Sequence, residues 1–369
     1  MPIPITDAVK KQLAEKKSAN FSLCFPRLVE WTERGDAVEV NEERNARMCN
    51  DAARVFPAAD GCLKQIHKRQ ADFIASRDKQ GLITITLRAK LTTPFITGLG
   101  SGHPSETGMI LDRNTGLPYI PASSIKGVLR LAYALSIAKR GDTTVDDAEL
   151  AEYFGNTKEM PSAMRGGVVF LDAYPETIPA LQTDIMNPHF NSYYGKIKNL
   201  PLETDNPVPI KFLSVKAGTF FVFRCYFLPL LCKDGTVKHY AQTDKEKVEK
   251  SFCIAFSTLG FGGKTAVGYG RFELSSEKEM QAAVAKQKAL AIEEIKKSFN
   301  VKDSCKVVLV SQNKKGNWKV QIEGTEVFGT ILNSSAVPPE RKQGDAVIVR
   351  ITAKPANGWN FEYLPQGQL

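Results

Sequence analysis

Histidine is scarce in this 369-residue chain, with only four, and its seven cysteines form no C-x-x-C pair. Cys24, Cys49, Cys62, Cys225, Cys232, Cys253 and Cys305 are scattered, without closely spaced histidines, so neither a zinc-ligand set nor a disulfide framework is encoded. No stretch approaches the roughly 18 apolar residues that a membrane span needs. The start, Met1-Pro2-Ile3-Pro4-Ile5-Thr6, lacks a basic region running into an apolar one. These absences predict a reduced, cytoplasmic, soluble protein without a metal or cofactor. Acidic residues are also in deficit: 40 Asp and Glu against 49 Lys and Arg leave a charge of +9. A basic surplus suits a nucleic-acid partner without specifying one.

The length permits one large and one small domain, expected at 1–298 and 299–369. Residues 6–80 carry helix-like charge patterning, and a mostly helical N-terminal region is expected. From Gly81 the period changes to two, marking a strand that ends near Thr93. A helix follows in which Ser123 or Ser124 is the expected cap and Ile125, Val128, Leu129, Ala132 and Leu135 the apolar stripe. A short helix over 146–154, a strand over 167–173, an irregular insertion over 182–210, a strand over 219–227 and a helix over 244–259 come next. A glycine-rich loop then leads into a last strand. This order predicts an α+β, ferredoxin-like (RRM-like) domain. A helix over 276–298 separates it from five short strand signals, expected to form a small barrel of OB or SH3 type.

The chemistry concentrates in residues 260–272, where five glycines interleave with Lys264, Tyr269 and Arg271. Gly262 and Gly263 let backbone N–H groups approach phosphate oxygens, Lys264, Thr265 and Arg271 add charge and a hydroxyl, and Tyr269 adds a stacking face. Gly263-Lys264-Thr265 resembles the end of a nucleotide-binding P-loop, but Thr258 stands where that pattern needs its first glycine, and a strand follows instead of a helix. RNA is the expected ligand. A second basic feature is the helix start, where Lys126 and Arg130 sit near the positive end of the helix dipole, a placement that a phosphate over Ser123 and Ser124 would favour. In the insertion, His189, Tyr193, Tyr194 and Lys196 combine aromatic and cationic groups suited to bases and backbone. His103 with Glu106, in the loop after the first strand, reads as a turn structure in preference to an acid/base pair.

The run Leu117-Pro118-Tyr119-Ile120-Pro121-Ala122-Ser123-Ser124-Ile125-Lys126-Gly127-Val128-Leu129-Arg130 resembles the signature of the RAMP superfamily of CRISPR proteins, and residues 260–272 resemble its glycine-rich loop. Gly102-His103-Pro104-Ser105-Glu106-Thr107-Gly108, Asp184 to Phe190 with Tyr193-Tyr194, and Asp205-Asn206-Pro207-Val208-Pro209-Ile210 narrow the resemblance to the sixth-subunit family of type III-B (Cmr) effector complexes. The resemblance implies a ribonucleoprotein subunit in antiviral defence that holds the 3′ region of guide RNA and its duplex with target RNA beside other RAMP subunits. It makes Ser123, Ser124, Lys126, Arg130, Lys264, Thr265, Tyr269 and Arg271 guide-backbone contacts, and the insertion a thumb-like wedge. Ala122 departs from the glycine usual in the signature, and Gly263 stands where alanine is common. A non-catalytic role is expected. The alternative is a ribonuclease acting on target or precursor RNA through Asp112, His103 or His189.

Overall fold

The computed structural model describes residues 20–27, 31–34, 37–40, 59–104, 107–138, 147–156, 165–196, 199–200, 207, 209–231, 235–276, 293, 297–313, 316–323, 325, 327–355 and 358–365. Contacts divide the chain into two units, Met1–Ser275 and Ser276–Leu369, each with its own hydrophobic cluster.

In the first unit a short helix, α1 (Phe21–Arg27), precedes a hairpin of β1 (Trp31–Arg34) and β2 (Ala37–Val40). This hairpin interrupts the region expected to be mostly helical. The two segments alternate with period two and are separated by Gly35-Asp36, a hairpin signal stronger than the local charge pattern. Residues 6–19 and 41–58 of that region, and the helix expected over 276–298 save isolated positions, lie outside the described residues. There follow α2 (Ala59–Lys79), β3 (Thr84–Leu91), α3 (Ala122–Ile137), α4 (Asp147–Phe154), β4 (Val168–Phe170) and β5 (Tyr174–Pro175). The insertion comprises β6 (Leu181–Met186), a helical turn α5 (Asn191–Tyr194) and β7 (Ile210–Val215). Then come β8 (Phe220–Phe227), a small hairpin of β9 (Leu230–Leu231) and β10 (Val237–Lys238), α6 (Gln242–Ile254) and β11 (Phe272–Leu274).

The main sheet is antiparallel with order β11-β3-β8-β4, and β5 also pairs with β8. Helix α3 leads from β3 towards β4, and α6 from β8 towards β11, which is the ferredoxin-like arrangement. Phe221, Phe223, Cys225 and Phe227 of β8 turn to one face and are buried; Phe223 meets Phe252 and Phe256 at ring distances of 6.0 and 4.9 Å. On α3 the buried residues are Ile125, Leu129, Ala132 and Tyr133, while Leu135, expected in the stripe, is exposed. Four helical steps from Leu129 lead to Tyr133, which takes the inner place.

The opposite face of the sheet is covered too. Arg224 is buried under α2, donating to Gln70 Oε1 at 2.8 Å, and Phe73 packs edge-on against Tyr226 at 5.5 Å. The Arg88 guanidinium grips Glu176 through Nε and Nη2 and lies 3.5 Å from the Phe220 ring centre. The sheet surface over β8, the one an RNA-recognition module uses for RNA, is therefore occupied by the chain's own α2.

The second unit is a closed five-stranded barrel of β12 (Ser304–Gln312), β13 (Trp318–Ile322), β14 (Phe328–Ile331), β15 (Ala346–Ala353) and β16 (Trp359–Tyr363). Its order is β12-β13-β14-β16-β15, closing through β12 with β15, and only β14 with β16 is parallel. That connectivity selects the OB type of the two barrels expected from the strand spacing. Val307, Leu309, Val320, Ile331, Val349, Ile351, Trp359 and Phe361 fill the interior.

Two glycines in the loop before β11 are required by packing. Gly270 has φ +69, and a Cβ there would fall 1.9 Å from the Phe261 carbonyl oxygen; Gly262 has φ +83, with a Cβ 2.0 Å from the Ile96 carbonyl oxygen. Gly270→Ala is expected to destabilise the first unit by more than about 2 kcal/mol, as the sum of left-handed strain and a backbone clash. Urea denaturation followed by far-ultraviolet circular dichroism measures it.

Candidate nucleic-acid interface

Phe261 and Phe272 flank the glycine loop, both buried, with ring centres 5.9 Å apart and both against Phe256. The C-terminal turns of α6 widen into a π-helical segment over Ala255–Leu259 just before Phe261, and between the two phenylalanines the chain passes through a 3-10 turn at Thr265–Val267. Gly263 N–H donates to the Ile96 carbonyl, Gly270 N–H to the Pro94 carbonyl and Arg271 N–H to Thr93 Oγ1, at 2.8, 2.8 and 3.0 Å. The loop is thus laced to the segment leaving β3. Gly260, Gly262 and Gly270 serve this packing, whereas nothing lies within 4 Å of a Cβ at Gly268 and Gly263 has only ordinary contacts.

The laced loop still leaves several N–H groups unpaired. Lys264 adopts the left-handed conformation, φ 57 and ψ 30, at the start of the 3-10 turn. Such a residue costs about 1–2 kcal/mol relative to the right-handed region. Among the described residues, the N–H groups of Gly262, Lys264, Thr265 and Ala266 donate no hydrogen bond. A left-handed residue leading into consecutive free N–H groups forms an anion-binding concavity. The Lys264 ammonium lies 5.5 Å from the Phe212 ring centre and 3.7 Å from Met186 Sδ, with no carboxylate partner among the described residues. Arg271 is partly structural: Nη2 donates to the Thr265 carbonyl at 3.1 Å, while Nη1 is sheltered and has no partner among the described residues.

Tyr269 is less free than its place in the sequence implies. Its hydroxyl donates to Asp184 Oδ2 of β6, its ring meets Phe212 of β7 edge-on at 6.2 Å, and it is half-buried. Burial and then the Asp184 carboxylate push its phenol up to about 12. Tyr269 therefore seats the β6–β7 ribbon on the glycine loop. The bridge between Phe95 and Val215 roots the same ribbon on the segment after β3. Beyond β6, His189, Tyr193, Tyr194 and Lys196 are all exposed, Tyr194 at 71%, and the two tyrosine rings lie 5.6 Å apart.

The start of α3 differs from expectation. Pro121 occupies the N-cap position and Ala122 begins the helix, so Ser123 and Ser124 stand inside its first turn and cap nothing. Proline has no side chain able to cap, and the Ala122 N–H instead donates to Asp172 Oδ1 at 2.7 Å. Lys126 moves to the second turn. Even so, the serines are exposed, and their hydroxyls and N–H groups donate no hydrogen bond among the described residues. Lys126 and Arg130 are half-buried, without an ion pair among the described residues. Two residues went unrecognised in the sequence. Asp172 is distant in the chain and carries no local signal. Gly127, exposed in mid-helix with nothing within 4 Å of a Cβ, was readable as a helix-weakening glycine without a packing reason.

The strand register puts these pieces at one end of the sheet. Phe221 of β8 pairs with Ala89 on one side and Pro175 on the other, so the glycine loop opens on the β11–β3 side and the α3 start on the β5 side. The acid–base candidates are otherwise engaged. Asp112 Oδ1 accepts from the Asn114 and Thr115 N–H groups and the Thr115 hydroxyl, and Oδ2 from Tyr174, which makes it a turn-forming carboxylate. His103 Nε2 donates to the Phe25 carbonyl at 2.9 Å and its ring stacks on Phe25 at 4.2 Å. Glu106 lies outside the described residues.

A fold of this order, with a glycine loop before its last strand and a basic helix after its first, defines a particular class of ferredoxin-like domain. The RAMP superfamily pattern matches residues 88–273. The Cmr6 subunit of the CRISPR Cmr system of Pyrococcus furiosus is 34% identical over 246 residues, covering 52% of this chain and 68% of that one. Cmr6 of Saccharolobus solfataricus is 32% identical over 198 residues, covering 52% of this chain and 56% of that one. Among solved structures, a chain of the type III-B Cmr-beta complex bound to cognate target RNA is similar at 22% identity and a TM-score of 0.47, over 74% of this chain and 89% of that one. The chain belongs to the RAMP superfamily, in its Cmr6 group.

Two half-buried imidazoles make the first unit sensitive to pH. Burial lowers the His67 ring, whose Nε2 donates to the Pro175 carbonyl while Nδ1 faces Arg224, and burial likewise lowers His103. Both folded values lie below the ordinary 6.5. Below about pH 6.5 the unfolded chain binds protons that the folded one refuses, so stability falls as pH drops through that window. The urea midpoint is expected to be lower at about pH 5.5 than at about pH 7.5, with a smaller drop in His67→Gln/His103→Gln.

Proposed function

We propose that this chain is a non-catalytic RNA-binding and assembly subunit of a cytoplasmic type III-B CRISPR effector complex. It holds the 3′ region of the guide RNA and the start of its duplex with target RNA, in contact with neighbouring RAMP subunits. The observation that carries this reading is the left-handed Lys264 heading a row of unsatisfied N–H groups, at the same sheet end as the exposed hydroxyls of Ser123 and Ser124. A phosphate in the loop would satisfy those N–H groups and compensate the backbone strain at Lys264. Tyr193, Tyr194, His189 and Lys196, exposed on the insertion, supply stacking faces and charge for the thumb-like role.

A ribonuclease is the other reading, and the engagement of Asp112 and His103 within the fold speaks against those two as its catalytic groups. His189 is exposed on the insertion and suits base contact better than proton transfer.

Lys264→Asn removes the charge and keeps a residue that tolerates the left-handed region. With Lys126→Ala as a companion, each is expected to weaken binding of a guide-length RNA and to reduce the slope of log affinity against log salt by roughly 0.7. Fluorescence anisotropy over a salt series measures this, and unchanged slopes in both would overturn the backbone-contact assignment. Gly127→Ala separates function from stability. With open space at its Cβ, it is expected to raise stability by about 0.5–1 kcal/mol while weakening RNA binding, because the methyl group occupies the approach to the α3 start.

A further inference from the structure

The barrel of the second unit has a use that neither the RAMP match nor the interface above accounts for, since residues 88–273 end before it. Alternation decides which residues face outwards. Val320, Ile322, Gly329, Ile331, Trp359 and Phe361 are buried, so Lys319, Gln321, Phe328, Thr330 and Asn360 form the outer surface of β13, β14 and β16. The register makes this surface contiguous: Lys319 pairs with Thr330, Gln321 with Phe328, and Thr330 with Asn360. Phe328 is 51% exposed and makes no ring contact among the described residues. Lys319 is its diagonal neighbour, exposed and without an ion pair among the described residues.

The geometry points to a second nucleic-acid site, in which a single strand with unpaired bases lies across the outer face of β13 and β14, a base stacked on Phe328 and a phosphate on Lys319. Three observations favour a nucleic acid over a protein. The described residues around the phenyl ring are two amides, a hydroxyl, an ammonium and the Glu323 carboxylate, which is paired with Lys306; the first four are groups that pair with base edges and phosphates, whereas a protein-docking core is mostly apolar. Among the described carboxylates of the barrel, Glu323 holds Lys306 at 3.0 Å, Asp345 accepts from the Lys342 N–H and Asp303 accepts from the Asn300 N–H, while Glu362 stands opposite Arg350 in the register. The strand order β12-β13-β14-β16-β15 makes β13 and β14 the second and third strands of an OB barrel, whose outer face accepts extended oligonucleotides. The tryptophans of the barrel do not form this site. Trp359 is core, Trp318 is half-buried against it, and the stacking residue is a phenylalanine.

The test uses the full chain and a 12-nucleotide oligouridine carrying 4-thiouridine, photo-crosslinked and mapped by mass spectrometry of tryptic peptides. The peptide spanning 320–341 is expected to carry crosslinks. Their yield is expected to fall roughly fivefold or more in Phe328→Ala, in keeping with the usual loss of a stacked base, and to fall in Lys319→Ala, where the corresponding peptide spans 316–341. It should persist in Lys264→Asn, so the result is independent of the interface proposed for the first unit. Because Phe328 is exposed, its truncation leaves the barrel interior intact. Absence of crosslinks in 320–341 while peptides of the first unit are labelled overturns the proposal. Crosslinks indifferent to both barrel substitutions also overturn it. So does a Phe328→Ala chain that keeps its crosslinks and loses co-purification with a neighbouring subunit, which would make this a protein-docking face.

Discussion

The glycine loop depends on the aromatic cluster beneath it. Phe261 and Phe272 enter the same buried group as Phe223, Phe252 and Phe256, with neighbouring ring centres 4.9–6.0 Å apart. Truncating such a ring typically costs about 3–5 kcal/mol, so both ends of the loop are held with the strength of the core. The intervening residues then have few options. Gly262 and Gly270 press against carbonyl oxygens, Arg271 folds back onto Thr265, and Lys264 is driven into the left-handed region. The loop acquires its shape before any ligand arrives, which lowers the ordering cost of binding.

That constraint propagates into the insertion. Asp184 and Phe212, on paired strands, receive Tyr269, and the Lys264 ammonium lies over the Phe212 ring. A residue that looks like a base-stacking platform in the sequence therefore acts as a hinge pin between loop and ribbon. The exposed aromatic function passes to Tyr193 and Tyr194. The covering of the sheet by α2 has a comparable effect. With Arg224 and Tyr226 packed under Gln70 and Phe73, the sheet surface over β8 is closed, and the N–H groups of Gly262, Lys264 and Thr265, unpaired among the described residues, lie in the loop at its end.

Much of the architecture was legible because it follows from short-range periodicity. The alternation at 84–91, the aromatic run of β8 and the five strands of the barrel each announced an element within a few residues of its observed bounds. The hairpin at Trp31–Val40 was missed because dense charge masked a period of two. The α3 cap was misassigned for a different reason: serine is a good capping residue, but Asp172, fifty positions away, reaches the Ala122 N–H first. No local rule includes a partner that only folding brings near.

The sequence by itself determined the ferredoxin-like order, the basic surplus, and the identity of the glycine loop and the Ser-Ser-Ile-Lys-Gly run as the chemically unusual segments. Composition and spacing are properties of the chain whatever its contacts, and the RAMP pattern is written in them. Tertiary structure alone decided which of those groups remain available. It committed Tyr269, part of Arg271, His103 and Asp112 to holding the fold, and left Lys264, Ser123, Ser124 and the insertion's tyrosines outward. The reason is that a polar atom's availability depends on which distant donor or acceptor reaches it in the folded chain, and that pairing is set by packing across elements far apart in sequence.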